Sequence, residues 1–447
     1  MGQELPPAPG GLPLVGNTVS FARDPFGFTA GAVDEVGDVF RVDLPVGDRY
    51  IVAHPEYAEQ VLVTDRDAFE KTDDFELAFG NSVIAADGDA WREQRDFLDP
   101  FFFARQIQSF LPTMRAQATG AADSFAGGDR IELLPEMKRV TFNILASTLL
   151  GLDPDTMSDD LRAAADDLNA YFEPATWALP DWLPMPSRRR FRAAKSTLRE
   201  EVQSVLAAAA DSPAPAAPTA DGGSGPPADL VTMLATSLTD DDDGYPRNRT
   251  DVVDMLIGLV FAGHETTALA LTFTIHSLAE HPEVYRRVED EIDETLRDDP
   301  IEWDHLDDLP LLDRVVDETL RLYPPVHSLP REATRDVAFG DYVVPEGSEV
   351  LVGVYSMHHD DRFWADPEAF DPSRWLDRDR SAEAYLPFGA GPRRCLGATF
   401  ARVEARVVLA ELLRRFRFER DGDADLDLSP QMTTQPAGEV PMRVRKR

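Results

Sequence analysis

One cysteine stands in 447 residues, and its surroundings are not those of an ordinary core residue. Cys395 lies in the stretch YLPFGAGPRRCLG, where Phe388, Gly391, Arg393, Cys395 and Gly397 keep the offsets F-x-x-G-x-R-x-C-x-G. A lone cysteine is most often a small buried hydrophobe. Here a glycine-rich run leads into a helix predicted to start at Cys395. Such a start leaves backbone N–H groups free to face a sulfur and favours negative charge there. Gly391 and Gly397 permit a bulky flat ligand to approach the backbone. Arg393 adds a cation. A thiolate with backbone donors, an aromatic neighbour and an arginine suits an iron porphyrin carrying two carboxylates.

Three further stretches hold chemically capable residues. In WREQR, Trp91 and Arg95 are four apart, so an indole N–H and a guanidinium share one helical face and can bind a carboxylate together. In AGHETT, Ala262 and Thr266 share a face, while Glu265 points about 100° away. A threonine inside a helix can bond back to a carbonyl and loosen the ladder. A buried glutamate there is a functional candidate in its own right. His264 is predicted to face elsewhere, with a purely hydrogen-bonding role. In ETLRLYPP, Glu318 and Arg321 are three apart on a helix, a spacing common by chance.

These residues must be positioned by a mainly α-helical framework. Helical spacing runs over 55–63, 91–114, 136–150, 188–210, 251–297, 308–322 and 395–416. β structure is predicted about 38–54, 337–356 and 415–447. It includes a hairpin turning around Pro45 to Asp48 and another turning near Pro345 to Gly347. The segment 212–227 is a proline-, glycine- and alanine-rich flexible connection, and DDDDG at 240–244 is solvated surface. With apolar segments on both sides of that connection, residues 1–447 read as one domain. Residues 255–278 carry one formal charge, Glu265, and are long enough to cross a bilayer. The central acidic group favours a buried helix of a large soluble fold over a membrane anchor.

Acidic residues outnumber basic ones by 81 to 44, a formal charge of −37. Lysine occurs only at Lys71, Lys138, Lys195 and Lys446; arginine supplies the rest. This composition predicts a halophilic, salt-adapted cytoplasmic protein. It argues against nucleic acid or anionic membrane as a partner. One cysteine excludes disulfide frameworks and thiol-rich zinc sites. The first residues show no signal peptide.

Taken together, the cysteine loop, the E-x-x-R helix and AGHETT resemble the haem-thiolate cytochrome P-450 monooxygenases along nearly the whole chain. The resemblance implies the cytochrome P-450 fold, a large helical domain with small β-sheets, and haem b (iron protoporphyrin IX) as cofactor. It implies Cys395 as the axial iron ligand and Phe388 beside the sulfur. Trp91, Arg95, Arg331 and Arg393 would hold the haem propionates, with Ala262 and Gly397 against the ring. Glu318, Arg321 and Arg374 would be a buried structural network. Thr266 and Glu265 would deliver protons to iron-bound oxygen. The activity implied is insertion of one atom of O2 into a C–H bond of a lipophilic substrate. No flavin or nicotinamide domain follows the haem segment, so a separate ferredoxin or flavodoxin would supply electrons. It is expected to dock on a basic island of Arg92, Arg394, Arg402 and Arg406. By the same resemblance the substrate pocket draws on 75–84, 177–186, Leu259, Ala262, 326–329 and MTTQP near the C-terminus. A peroxygenase, an isomerase or dehydratase of the same fold, and a non-catalytic haem sensor remain as rivals.

Overall fold

The central helix, Arg249–Glu280, organises the molecule. In this computed structural model, residues 4–447 are described apart from 14, 45–46, 126, 155–158, 170–183, 211–229, 238–244, 247, 298, 377–382 and 423–425. Asn248 caps the central helix, its side-chain oxygen accepting from the N–H groups of Thr250 (2.8 Å) and Asp251 (3.0 Å). This satisfies donors that a helix start otherwise leaves orphaned. Helices Leu133–Thr148, Pro186–Ala210, Pro310–Leu322 and Ala398–Leu413 pack against it. Among the described residues it is the one helix long and apolar enough to cross a membrane, and most of that apolar window is buried inside the fold. An all-round apolar helix is what the middle of a large core requires.

Two predicted helices prove to be interrupted. The span 251–297 breaks at His281, and a second helix runs Pro282–Leu296. Pro282 has no N–H to continue the ladder and pushes His281 out of the helical region, to φ −120° and ψ 72°. The span 91–114 becomes Gly88–Leu98, a tight turn Asp99–Phe102 containing Pro100, and Ala104–Ser124, with Phe103 extended between them.

The largest sheet has five strands in the order Val39–Val42, Arg49–Val52, Glu349–Val352, Leu329–Ala333, Phe69–Glu70. The first two form the predicted N-terminal hairpin, with Val42 opposite Arg49. The predicted turn at 345–347 is not a hairpin turn. Val337–Phe339 pairs with Tyr342–Val344 across Gly340, which has φ +59°. The chain then changes sheet at Pro345–Gly347, so that Glu349–Val352 joins Arg49–Val52 in parallel. A glycine free to adopt positive φ makes the two-residue connection the easier turn. At the C-terminus Phe416–Arg420 and Pro441–Lys446 pair, with Arg130–Glu132 on the outer side. The short strands at 69–70, 130–132 and 329–333 lie outside the predicted β parts. The predicted loop at 212–227 and DDDDG at 240–244 lie outside the described residues.

The E-x-x-R pair lies in the core. Glu318 and Arg321 are fully buried, and Glu318 accepts five hydrogen bonds. Two come from Arg321 (3.1 and 2.9 Å), and one each from Arg374 (2.9 Å), the Trp375 indole (2.9 Å) and the Asp371 N–H (3.0 Å). Arg321 also donates to the carbonyls of His358 (2.8 Å), Pro367 (2.7 Å) and Ala369 (3.1 Å). This knot clamps the segment 358–375, which leads to the cysteine loop.

Candidate active site

Two adjoining cavities, of about 330 and 300 Å³, meet at Ala262, Thr266, Val326 and Leu329, and share Lys71 and Arg331. The inner cavity is floored by the cysteine loop. The outer one runs beneath the N-terminal segment towards Phe21 and Phe26 and is mostly apolar.

The cysteine loop owes its shape to two local features. Gly389 and Gly391 both take φ +68°, in the left-handed region that favours glycine. At Gly391 an added Cβ would meet the Leu62 carbonyl oxygen at 2.3 Å, so a close backbone approach fixes this glycine. The requirement is therefore packing against Leu62, not room for a flat ligand as expected from the sequence. Gly397 does line the inner cavity, and the nearest atom to a Cβ there is Phe102 Cε1 at 3.8 Å. The helix begins at Ala398, three residues later than predicted, and the Cys395 N–H ahead of it donates to the Phe388 carbonyl (2.9 Å). Cys395 exposes its side chain to the inner cavity. Burial raises its thiol pKa, against the pull of the Gly397 N–H and the charges of Arg95 and Arg394. Phe388 lines the same cavity.

Cations gather at one side of the cavity. Arg393 donates to the Ala86 carbonyl (2.9 Å) and pairs with Asp87, and its guanidinium lies 4.8 Å from the Trp91 ring centroid. Arg95 bridges to Asp99 (2.7 Å) and to the Arg394 carbonyl (2.9 Å). Arg331 is buried and lowered to about 10, first by burial and then by the charge of Arg393. Lys71 is pushed well below its usual range by burial and by Arg331 and Arg393. Three mutually repelling cations, Lys71, Arg331 and Arg393, thus share the nearby carboxylate of Asp87. Such a cluster suits a ligand with more than one negative charge.

On the opposite wall, Ala262 and Thr266 line both cavities, and the Thr266 hydroxyl donates to the Ala262 carbonyl at 2.7 Å. Glu265 points away from the cavities and is buried. It accepts from Asn169, from Thr433 (3.2 Å) and from Gln435 (3.1 Å), with the Lys138 ammonium 3.4 Å away. His264 faces the same way, its Nδ1 2.8 Å from the Val260 carbonyl.

The cytochrome P-450 family profile matches residues 6–440. The chain belongs to the cytochrome P-450 family. It is 32% identical to the cyclooctat-9-en-7-ol 5-monooxygenase of Streptomyces melanosporofaciens, over 92% of this chain and 88% of that one. It is 31% identical to the pentalenene oxygenase of Streptomyces avermitilis, over 94% and 92%. The retinoic acid-bound cyanobacterial CYP120A1 superposes with a TM-score of 0.86 at 25% identity, covering 100% of both chains. This cytochrome P-450 is an oxidoreductase, a monooxygenase, and haem b is its cofactor.

The residues of the inner cavity fit that cofactor. A sulfur faces the cavity from the loop, and an under-neutralised cation cluster matches a porphyrin with two propionates. Lys71 was not singled out from the sequence as a site residue. Its signal was compositional: one of four lysines in a chain that otherwise uses arginine.

Other expectations divide. The outer cavity takes Phe75, Ile84, Val326 to Leu329, Met432 and Thr433 from the predicted pocket segments, and Leu259 lines the inner one. Residues 177–183 lie outside the described residues. The predicted basic island is largely neutralised. Arg402 pairs with Asp317 and Asp313, and Arg406 lies 3.6 Å from Asp313, both turned inward. The helix Pro310–Leu322 brings these two acids against the cysteine-side helix, which sequence spacing does not reveal. Arg394 remains exposed, and exposed Arg92 pairs with Asp89.

The cation cluster predicts opposite effects on the two forms of the protein. Arg331→Leu is expected to stabilise haem-free protein by about 1–2 kcal/mol, since it removes a buried charge short of partners. The same change is expected to speed haem loss about tenfold or more, as a buried charge-assisted bond is forfeited. Thermal melts of haem-free protein, and haem transfer to an acceptor protein, check the two signs.

Proposed function

We propose that this cytochrome P-450 hydroxylates a C–H bond of a lipophilic substrate with O2, using electrons from a separate ferredoxin- or flavodoxin-type protein. Cys395 is the axial ligand in this reading. Arg95, Trp91, Arg331 and Arg393, together with Lys71, hold the propionates. Phe388 packs beside the sulfur, and Ala262 and Gly397 leave room for the ring. When bound, the haem supplies oxygen activation and the oxidising power for the C–H bond.

The chain's own residues do the rest. The apolar outer cavity strips water from the substrate and holds it against the Ala262–Thr266 wall. Thr266 spends its proton on the Ala262 carbonyl, which leaves its oxygen facing the cavity as an acceptor. Glu265 holds and passes protons from behind the central helix. The observation that carries the reading is the sole cysteine facing a cavity that also collects Lys71, Arg331 and Arg393. The two Streptomyces relatives are named for cyclooctat-9-en-7-ol and pentalenene, and a hydrocarbon-rich molecule of that kind fits the apolar lining. The test is the absorption spectrum of the reduced, carbon-monoxide-bound protein, then spin-shift titration with such molecules. Absence of the thiolate-type band would overturn the reading.

We also propose a salt-adapted cytoplasmic protein folded as one haem-binding unit. The support is the charge of −37. Lowering salt from about 1 M to 0.1 M lengthens the screening distance from about 3 to 10 Å, so acidic repulsion spreads across the surface. The melting temperature is expected to fall on desalting, by less per kcal/mol than the roughly 2–4 °C of a domain of about 150–250 residues, because the shift shrinks with chain length. A melt that rises on desalting would contradict this.

A further inference from the structure

Glu265 lies behind the central helix, so a proton held there needs a way through to the substrate. The neighbouring Thr266 is one side of that problem. Its hydroxyl proton is committed to the Ala262 carbonyl at 2.7 Å, and no hydrogen bond joins it to Glu265 among the described residues. A second hydroxyl does make that link. Thr433, in the C-terminal turn, donates to Glu265 Oε2 at 3.2 Å and also lines the outer cavity. Its oxygen accepts from the Gln435 amide at 2.6 Å, and that amide also donates to Glu265 Oε1 at 3.1 Å. Thr433 is buried, so its rotamer is held by packing and by these bonds.

The groups on the far side of Glu265 have a different part. Lys138 lies 3.4 Å from Glu265 and 2.8 Å from the half-exposed Asp166. Burial opposes charge on Lys138, but the two carboxylates outweigh it and raise its pKa. Burial raises Asp166, yet bonds from His264 and Lys138 win and bring it down to about 2. Both therefore stay charged, as a fixed pair that aims the Glu265 carboxylate, and neither is a good proton donor.

We propose that Thr433 is a second relay hydroxyl, through which Glu265 exchanges protons with the substrate cavity, while Lys138 and Asp166 position the carboxylate. This rests on the reading of Glu265 as a proton carrier. A proton that reaches Glu265 from solvent passes from Oε2 to Thr433 Oγ1. The Thr433 hydroxyl, turned beforehand so that its own proton points at water in the cavity, releases that proton as the new one arrives, and the new O–H bond lies towards Glu265 Oε2, which is the starting state. One proton enters from solvent and one leaves to the cavity.

The test uses three variants of the haem-loaded enzyme, with a plant-type ferredoxin and its reductase as electron donors and O2 as the probe, without added substrate. Thr433→Val keeps the shape and removes the hydroxyl; Thr433→Ser keeps the hydroxyl; Glu265→Gln removes the carrier. Thr433→Val is expected to slow reduction of O2 to water about 100-fold, at the modest end for a lost proton-transfer group. Peroxide and the solvent deuterium isotope effect should rise in step. Thr433→Ser should return to within about twofold of the parent. Independently of turnover, the infrared carboxyl signal of the resting holoenzyme that disappears in Glu265→Gln should shift in Thr433→Val and return in Thr433→Ser. Unchanged water formation and an unchanged band in Thr433→Val would overturn the Thr433 assignment. If Glu265→Gln itself leaves water formation unchanged, the carrier reading fails, and this one with it.

Discussion

Replacing Cys395 by serine is expected to abolish monooxygenase activity while leaving the polypeptide folded. A serine hydroxyl does not ionise near neutral pH and is a poor donor to iron, whereas a thiolate donates strongly. Loss of a ligand's outer hydrogen-bond partner alone typically costs 10–100-fold in metal affinity or activity, so loss of the ligand is expected to cost more than about 100-fold. The fold has little reason to fail. The loop is held by the Cys395 N–H to the Phe388 carbonyl, by Gly391 against Leu62, and by Arg95 to the Arg394 carbonyl. None of these involves the sulfur. The measurement is the carbon-monoxide band of the reduced protein, together with haem content and a melt of the haem-free form. A retained thiolate-type band, or retained turnover, would remove the central assignment.

The second large effect lies away from the cavities. Glu318→Ala is expected to cost about 3–5 kcal/mol, the range for stripping one partner from a buried ion pair. Here the loss strands two guanidiniums, Arg321 and Arg374, and removes the acceptor of the Trp375 indole. Net stabilities of domains are about 5–15 kcal/mol, so this is a large fraction. The variant is expected to accumulate poorly and to bind haem weakly, because the knot clamps 358–375 ahead of the cysteine loop. Urea midpoints and haem occupancy check it. An unfolding free energy within about 1 kcal/mol of the parent's would show that the knot is not structural in this way.

The two sets of residues differ in how legible they were. Glu318 and Arg321 are three apart on one helix, and their contact follows from helical geometry once burial is granted. The same holds for Ala262 and Thr266, and for the outward angle of Glu265. Where a proline interrupts the pattern, the sequence carried the information but periodicity overrode it, as at Pro282. Lys71 left no local signal at all. Its role depends on Arg331 and Arg393, which are more than 250 residues away in the chain and arrive by packing.

The amino-acid sequence by itself determined the kind of chemistry: one thiol in a glycine-rich loop, arginines at spacings that suit carboxylates, and an acid beside a hydroxyl inside an apolar helix. Those are relations between near neighbours, set by the helical period and by what glycine and proline allow. The tertiary structure decided which charges are free to act. It tied Arg402 and Arg406 to Asp313 and Asp317, and it crowded Lys71, Arg331 and Arg393 around the carboxylate of Asp87. It also turned Glu265 towards Asn169, Thr433, Gln435 and Lys138. The reason is physical: the effect of a charge depends on what desolvates it and what lies within a few ångströms, and both are contacts between segments distant in the chain.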